Sequence, residues 1–213
     1  NDGLIETKPA KFRSDVTVKL MDMMGDENSI VRRARVSVNG SNFEENTVGS
    51  ELSARDIGLL KRLYKDEHGV PFEGVDFEFY IEAPLFVIQQ ILKHRLSSIN
   101  QVSGRYSQLE GTFYLPPEDR KLVQVGKTME YIFEDGQPWQ REAVINVAKN
   151  ANETWYHNYQ SLLHIGIAKE VARQQAPHNV YGSLYYKTNL RALLNFLKLR
   201  KVWEGARVVS HAQ

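Results

Sequence analysis

The sequence predicts an α+β fold, a small mixed or antiparallel sheet packed with several helices, with the second half rich in helix. Three stretches carry this reading. Val75, Phe77, Phe79 and Ile81 alternate with other residues over 75–82, the period of a strand with one buried face. Directly after it, Pro84 opens a run with apolar residues at 85, 88 and 92 and at 87 and 91, which is helical spacing begun by a proline. Farther on, Val144, Val147, Ala151, Trp155 and Leu162 continue a helical pattern over 139–164.

The remaining elements follow in chain order. Residues 16–20 alternate at period two and predict a strand; residues 30–34 fit a short helix. A loop is expected over 39–49. Ser53 suits the N-cap of a helix running to Lys65, with His68-Gly69 after its end. Thr112, Phe113, Tyr114 and Leu115 read as a strand stopped by Pro116-Pro117. Residues 169–175 read as a short helix ending before Pro177, and residues 190–200 as a helix with Leu190, Leu193, Leu194 and Leu197 on one stripe. Repeats, low-complexity tracts and linkers are lacking, so residues 1–213 read as a single domain.

Composition narrows the function. The 213 residues are 42% hydrophobic and 25% charged, ordinary for a globular protein with one core. A formal charge of +1 gives no overall field toward nucleic acid or an anionic membrane, so anion binding must be local. No stretch approaches the roughly 20 apolar residues of a membrane span, and the first residues lack a basic-then-apolar signal; a cytoplasmic location is expected. The chain does not begin with Met, so its first residue need not be the start of the gene. Zero cysteine excludes disulfides, thiolate metal sites and a cysteine nucleophile. The histidines show no metal-ligand spacing with nearby acids, and no metal is expected.

The polar chemistry concentrates in one place. Lys93, His94 and Arg95 end the apolar run, and Ser103, Gly104 and Arg105 follow within ten residues. A core helix ending in cations would bring charge to a place where burial costs free energy unless an anion meets it. Basic residues in a last helical turn also serve the helix dipole alone. The second element favours a ligand: glycine permits close approach, serine offers a hydroxyl, and arginine offers a fork for phosphate. Neither a Gly-x-Gly-x-x-Gly nor a Gly-x-x-x-x-Gly-Lys-Ser/Thr motif occurs, so side chains must hold any nucleotide.

Lys93-His94-Arg95, seven residues, then Ser103 resembles the Arg-His-Arg signature of the flavin-dependent thymidylate synthases, the ThyX-like fold. Asn100 and Ser103-Gly104-Arg105-Tyr106-Ser107 extend the likeness, as do the runs at 29–37, His68 with Pro71-Phe72-Glu73, Glu170 to Arg173, and 189–200. The resemblance implies reductive methylation of deoxyuridine monophosphate (dUMP) to dTMP, with FAD as redox cofactor, NADPH as reductant and methylenetetrahydrofolate as carbon donor. It also implies a homotetramer with shared sites. The lack of cysteine agrees, since the cysteine-dependent synthases are excluded.

By matching position, the resemblance assigns His68, Lys93, His94, Arg95, Gln101, Asn189, Leu190, Arg191 and Asn195 to the flavin. It assigns Gln89, Gln90, Lys93, Gln101, Val102, Ser103, Gly104, Arg105, Arg173 and Arg200 to the substrate, with Arg200 the catalytic residue favouring ionisation of the pyrimidine. Lys93 departs from an arginine and loses the planar fork; Gln101 departs from a glutamate and removes a charge; Val70 stands where a hydroxyl residue is frequent. Taken singly, Arg173 also reads as a surface ion pair, Arg200 as a helix C-terminal cation, and His94 and His68 as structural. Ser210-His211-Ala212-Gln213 resembles a family segment that lies closer behind the arginine, which implies an insertion after Arg200 and a missing or shortened C-terminus; His211 receives no role. Other readings of the basic loop are a non-catalytic nucleotide- or RNA-binding protein, with Tyr106 and Phe113 for stacking, and a flavoprotein that has lost synthase activity.

Overall fold

The structure, a computed structural model, describes residues 7–39, 49–127 and 132–200. In chain order its elements are β1 (Lys11–Arg13), β2 (Thr17–Met24), α1 (Glu27–Asn39), α2 (Ala54–Lys65), a 3-10 turn (Val70–Gly74), β3 (Asp76–Pro84), α3 (Leu85–Ile91) and β4 (Ser97–Gln101). They continue as β5 (Thr112–Tyr114), β6 (Val123–Val125), β7 (Ile132–Glu134), α4 (Pro138–His164), α5 (Lys169–Ala172), β8 (Tyr181–Asn189) and α6 (Leu190–Arg200). Most of the expected loop at 39–49 and all residues after Arg200, His211 included, lie outside the described residues.

The central sheet has the order β2-β3-β8-β4 and every neighbouring pair is antiparallel. β3 and β8 pair along their whole lengths, from Asp76 opposite Asn189 to Pro84 opposite Tyr181. β1 and β5 form a separate parallel pair, and β6 and β7 a small antiparallel one. β1, β4, β6, β7 and β8 are additions to the expected elements. In β8 the buried residues Leu184, Tyr186 and Thr188 do alternate. Tyrosines on both faces and a buried threonine hide that pattern from a reading by hydrophobicity. β4 contains one aliphatic residue, Ile99, and takes its backbone partners from β8.

Several boundaries move for local reasons. α1 begins before Ile30 because the Asp26 carboxylate accepts the Ser29 N–H at 3.1 Å, acting as a cap. α5 stops at Ala172 rather than 175; Gln174 N–H bonds to Val171 O and Ala176 N–H to Arg173 O, so the chain tightens into turns ahead of Pro177. α2 begins after Ser53 as expected, closed by a capping box in which the Ser53 hydroxyl oxygen accepts the Asp56 N–H and the Asp56 carboxylate accepts the Ser53 N–H.

Three apolar clusters hold these elements. Ile81, Ala83, Leu184 and Tyr186 of the sheet pack with Ile88 and Ile91 of α3, joined by Phe196 of α6. Ile30, Leu63, Phe72 and Val75 form a second cluster with Leu190 and Leu194 of α6. α6 therefore bridges two clusters, which fixes where its polar residues point. In the third, Phe113, Tyr156, Tyr159, Ala172 and Val180 pack together, and Trp155 and Tyr159 stack at 5.2 Å. The buried face of α4 is accordingly Asn152, Tyr156 and Tyr159, while the expected stripe at Val144, Val147 and Ala151 is exposed. β2 is likewise exposed from Val18 onward, including Leu20, Met21, Met23 and Met24.

Candidate functional site

α3 buries Ile88 and Ile91 and ends there, so Lys93, His94 and Arg95 lie in the turn between α3 and β4. The expectation of buried cations is corrected. Lys93 and Arg95 are exposed, because the helix stops one turn short of carrying them inward; only His94 is partly buried. The turn itself is firmly tied. His94 N–H bonds to Ile91 O at 3.0 Å, the Ser97 hydroxyl donates to His94 O at 2.8 Å, and the Thr188 hydroxyl donates to Leu96 O at 2.9 Å.

Arg200 reaches this turn from the end of α6. Its Nε–H donates to His94 Nε2 at 3.1 Å, and the His94 ring lies 4.6 Å from that of Phe196. Burial, and then the charge of Arg200, pull the His94 pKa below the ordinary histidine value. An acceptor Nε2 requires the neutral ring with its proton on Nδ1. The imidazole thus holds the arginine in place without competing for its other N–H groups.

The second basic element forms a tight loop. Val102 N–H bonds to Ser183 O at 2.9 Å, Tyr106 and Ser107 N–H bond to Ser103 O at 3.1 and 3.0 Å, and Arg105 N–H bonds to Ser103 Oγ at 3.3 Å. Among the described residues the Ser103 hydroxyl proton has no acceptor. Gly104 is buried against Arg173, whose Cδ would lie 2.9 Å from a β-carbon at that position. Arg173 Nε is itself buried and has no hydrogen-bond partner among the described residues. A donor of a permanent cation is not left unmet in a folded core at no cost, and an anionic ligand is the natural partner. Arg105 is occupied differently: its Nε lies 3.1 Å from the Glu170 carboxylate, both groups being half exposed.

A third group gathers on the other side of α6. His68, Arg191 and Asn195 line one cavity of about 750 Å³, with Leu194 and Lys198. A neighbouring cavity of about 740 Å³ shares His68, Gly69 and Arg191 with it and extends to Arg33 and Val70. Arg191 and Asn195 lie one helical turn apart, and Asn189 caps that helix by accepting the Ala192 N–H at 2.9 Å. Its side chain is therefore committed to the helix. Leu190 is committed to packing in the second cluster. Arg191 pairs with Glu73 at 2.5 Å. Gln89, Gln90 and Gln101 are exposed, Gln101 at the end of β4 opposite Leu184. Val102 and Gly104 line a smaller cavity of about 400 Å³ with Tyr80, Glu82 and Ser183.

The expected site residues thus fall into three neighbourhoods: the turn at 93–95 with Arg200, the loop at 102–105 with Arg173, and the cavities at His68, Arg191 and Asn195. Glu73, Glu170 and Arg33 belong to these neighbourhoods and were given no role by the sequence. Among the described residues no group of three or more His, Asp or Glu could hold a metal ion, and no helix is long and apolar enough to cross a membrane.

The family model described as Thy1, thymidylate synthase complementing protein, matches residues 19–208. A flavin-dependent thymidylate synthase of Tropheryma whipplei (strain TW08/27) is 42% identical over 189 residues, covering 89% of this chain and 78% of that one. Another from Streptomyces avermitilis is 40% identical over 210 residues, covering 98% and 84%. Among solved structures, the UMP/dUMP methylase PolB from Streptomyces cacaoi bound with 5-Br dUMP superposes with a TM-score of 0.83 at 36% identity, covering 95% of this chain and 86% of that one. The same methylase bound with 5-Br UMP gives 0.81 at 35% identity, covering 95% and 84%.

Proposed function

The chain belongs to the flavin-dependent thymidylate synthase family, and from that premise we propose that the three neighbourhoods form one site in which dUMP is methylated at carbon 5 to dTMP. The observation that carries the nucleotide end is Arg173: its buried Nε, with no hydrogen-bond partner among the described residues, lies against the Ser103-Gly104-Arg105 loop, where the serine hydroxyl proton likewise has no acceptor among them. These groups suit a phosphate dianion.

Lys93, His94, Arg95, Gln101, Asn189, Leu190, Arg191, Asn195 and His68 are the flavin residues of this reading. The donor set fits FAD: Lys93 and Arg95 offer cations for a diphosphate, and His68, Arg191 and Asn195 line the cavity of about 750 Å³. Asn189 and Leu190 would offer backbone groups, since their side chains are engaged. The flavin, when bound, supplies the redox chemistry, with NADPH as reductant and methylenetetrahydrofolate as the carbon source. The protein positions and polarises. Arg200, oriented by neutral His94, presents a fixed cation to the pyrimidine and lowers the proton affinity of its ring nitrogen. Ser103, Gly104, Arg105 and Arg173 hold the phosphate, and Gln89, Gln90, Gln101, Val102 and Lys93 line the approach. The chain has no cysteine, so no thiolate of its own takes part.

We read the chain as one domain working in the cytoplasm as a homotetramer with shared sites. The exposed apolar residues of β2 and the exposed stripe of α4 support an assembly, since such surfaces are costly to leave in water. The function is tested by supplying dUMP, methylenetetrahydrofolate, FAD and NADPH to the purified protein. Formation of dTMP that requires added or bound flavin is the expected result. No dTMP from a protein that holds flavin and nucleotide overturns the reading. Supplying UMP beside dUMP reports which sugar the site accepts.

A further inference from the structure

We propose that Arg33 is a binding residue for the anionic tail of a co-substrate, a carboxylate or phosphate group entering the cavity beside His68. The proposal rests on the reading of this cavity as part of the synthase site. It starts from two glycines that bracket the 3-10 turn. A β-carbon at Gly69 would collide with the Arg191 side chain, and one at Gly74 would collide with that of Arg33. Each arginine thus lies on bare backbone at one end of the same turn, and both line the cavity of about 740 Å³ with Ala34, Leu63, His68 and Pro71.

The two arginines differ in what neutralises them. Arg191 pairs with Glu73 at 2.5 Å, and Glu67, the carboxylate on this cavity's wall, lies 3.4 Å from Lys198. Arg33 has neither a hydrogen bond nor an ion pair among the described residues. Its Cδ, Nε and Cζ lie against the buried Gly74 while the residue as a whole is exposed, so one side of the fork rests on backbone and the other is open to a ligand. A fork with no counter-ion among the described residues, beside an apolar wall of Ala34, Leu63 and Pro71, suits a ligand with a flat body and a negatively charged tail. Two co-substrates of the proposed reaction have that form: a reduced folate with its glutamate carboxylates, and NADPH with its phosphates. Arg33 stands on α1, outside the elements assigned to the flavin and dUMP, so it is free to serve either.

The test uses flavin-loaded enzyme and the variants Arg33→Ala and Arg33→Lys. Calorimetry measures binding of tetrahydrofolate bearing one or several glutamates, of NADP⁺ and of dUMP. Arg33→Ala is expected to weaken one of the two anionic co-substrates roughly three- to tenfold, the range of one partly exposed charge contact. It should leave dUMP unchanged, and Arg33→Lys should recover part of the loss. Loss of the preference for several glutamates identifies the folate; a higher dissociation constant for NADP⁺ identifies the nicotinamide ligand. Unchanged binding of both by a variant that still forms dTMP overturns the assignment and leaves the synthase reading standing. A wild-type protein that binds flavin yet neither co-substrate overturns both.

Discussion

Arg200 donates from Nε to His94 Nε2 across 3.1 Å, joining the end of α6 to the turn after α3. The bond needs a neutral imidazole, and burial with the nearby guanidinium keeps it neutral. Above the ordinary histidine value of about 6.5, the pair is intact. As pH falls through the depressed folded value, protonation removes the acceptor and sets two cations together, so His94 favours the folded site only above that window. The kcat/KM profile should fall on its acid side in this range. His94→Gln, which accepts from Arg200 without titrating, should flatten that limb. Arg200→Ala should keep flavin, seen by absorbance, and lose about a hundredfold or more in kcat, the scale of one preorganised electrostatic contact.

Gly104→Ala puts a methyl group against Arg173 Cδ at 2.9 Å, where the side chain must shift. Nucleotide binding should weaken about tenfold or more as Arg173 loses its position, with little change in flavin content. Calorimetric titration with dUMP checks this. Ser103→Ala should weaken the same constant through loss of one hydroxyl donor.

Glu170 holds Arg105 at 3.1 Å with half of each side chain exposed, so the pair adds little to stability. If the phosphate and Glu170 compete for the same fork, Glu170→Gln should tighten dUMP binding by a few fold while leaving the melting temperature nearly unchanged. Parallel calorimetry and thermal melts separate the two effects.

Ser53 and Asp56 close α2 at its start, and Asp56 is buried and also paired with Arg35. The Ser53 hydroxyl, followed by the Ser53 N–H and the charge of Arg35, outweighs burial and holds the Asp56 carboxyl below its ordinary value. Its stabilising effect is present above the ordinary carboxylate range and is lost as pH falls through the lowered value. Ser53→Ala should cost about 1 kcal/mol, read as a lower denaturation midpoint in urea at neutral pH. The difference from wild type should shrink in acid.

What the sequence made legible is local. The capping residue of α2, the alternation of β3 and the proline opening α3 are all set within a few positions, and each is found in place. β8 was not legible, because Tyr181, Tyr185 and Tyr186 occupy both faces of a strand whose pattern depends on which tyrosine is buried. The apolar stripe of α4 was legible only in part: Val144, Val147 and Ala151 face outward, whereas Trp155 of that stripe makes the contact together with Tyr156 and Tyr159, which lie off it. In the site, the spacing from Lys93 to Arg105 was readable from one segment. The pairings of Arg191 with Glu73, Arg105 with Glu170 and Arg33 with Gly74 depend on chain crossings that no local pattern encodes.

The central claim is that one protein holds flavin and dUMP in adjoining parts of a single site. It is tested most directly by the flavin absorbance bands of the purified enzyme as dUMP is added. The expected result is a saturable change in those bands that disappears in Arg173→Ala while the flavin remains bound. A flavin spectrum indifferent to dUMP, in a protein that binds dUMP by calorimetry, would contradict it.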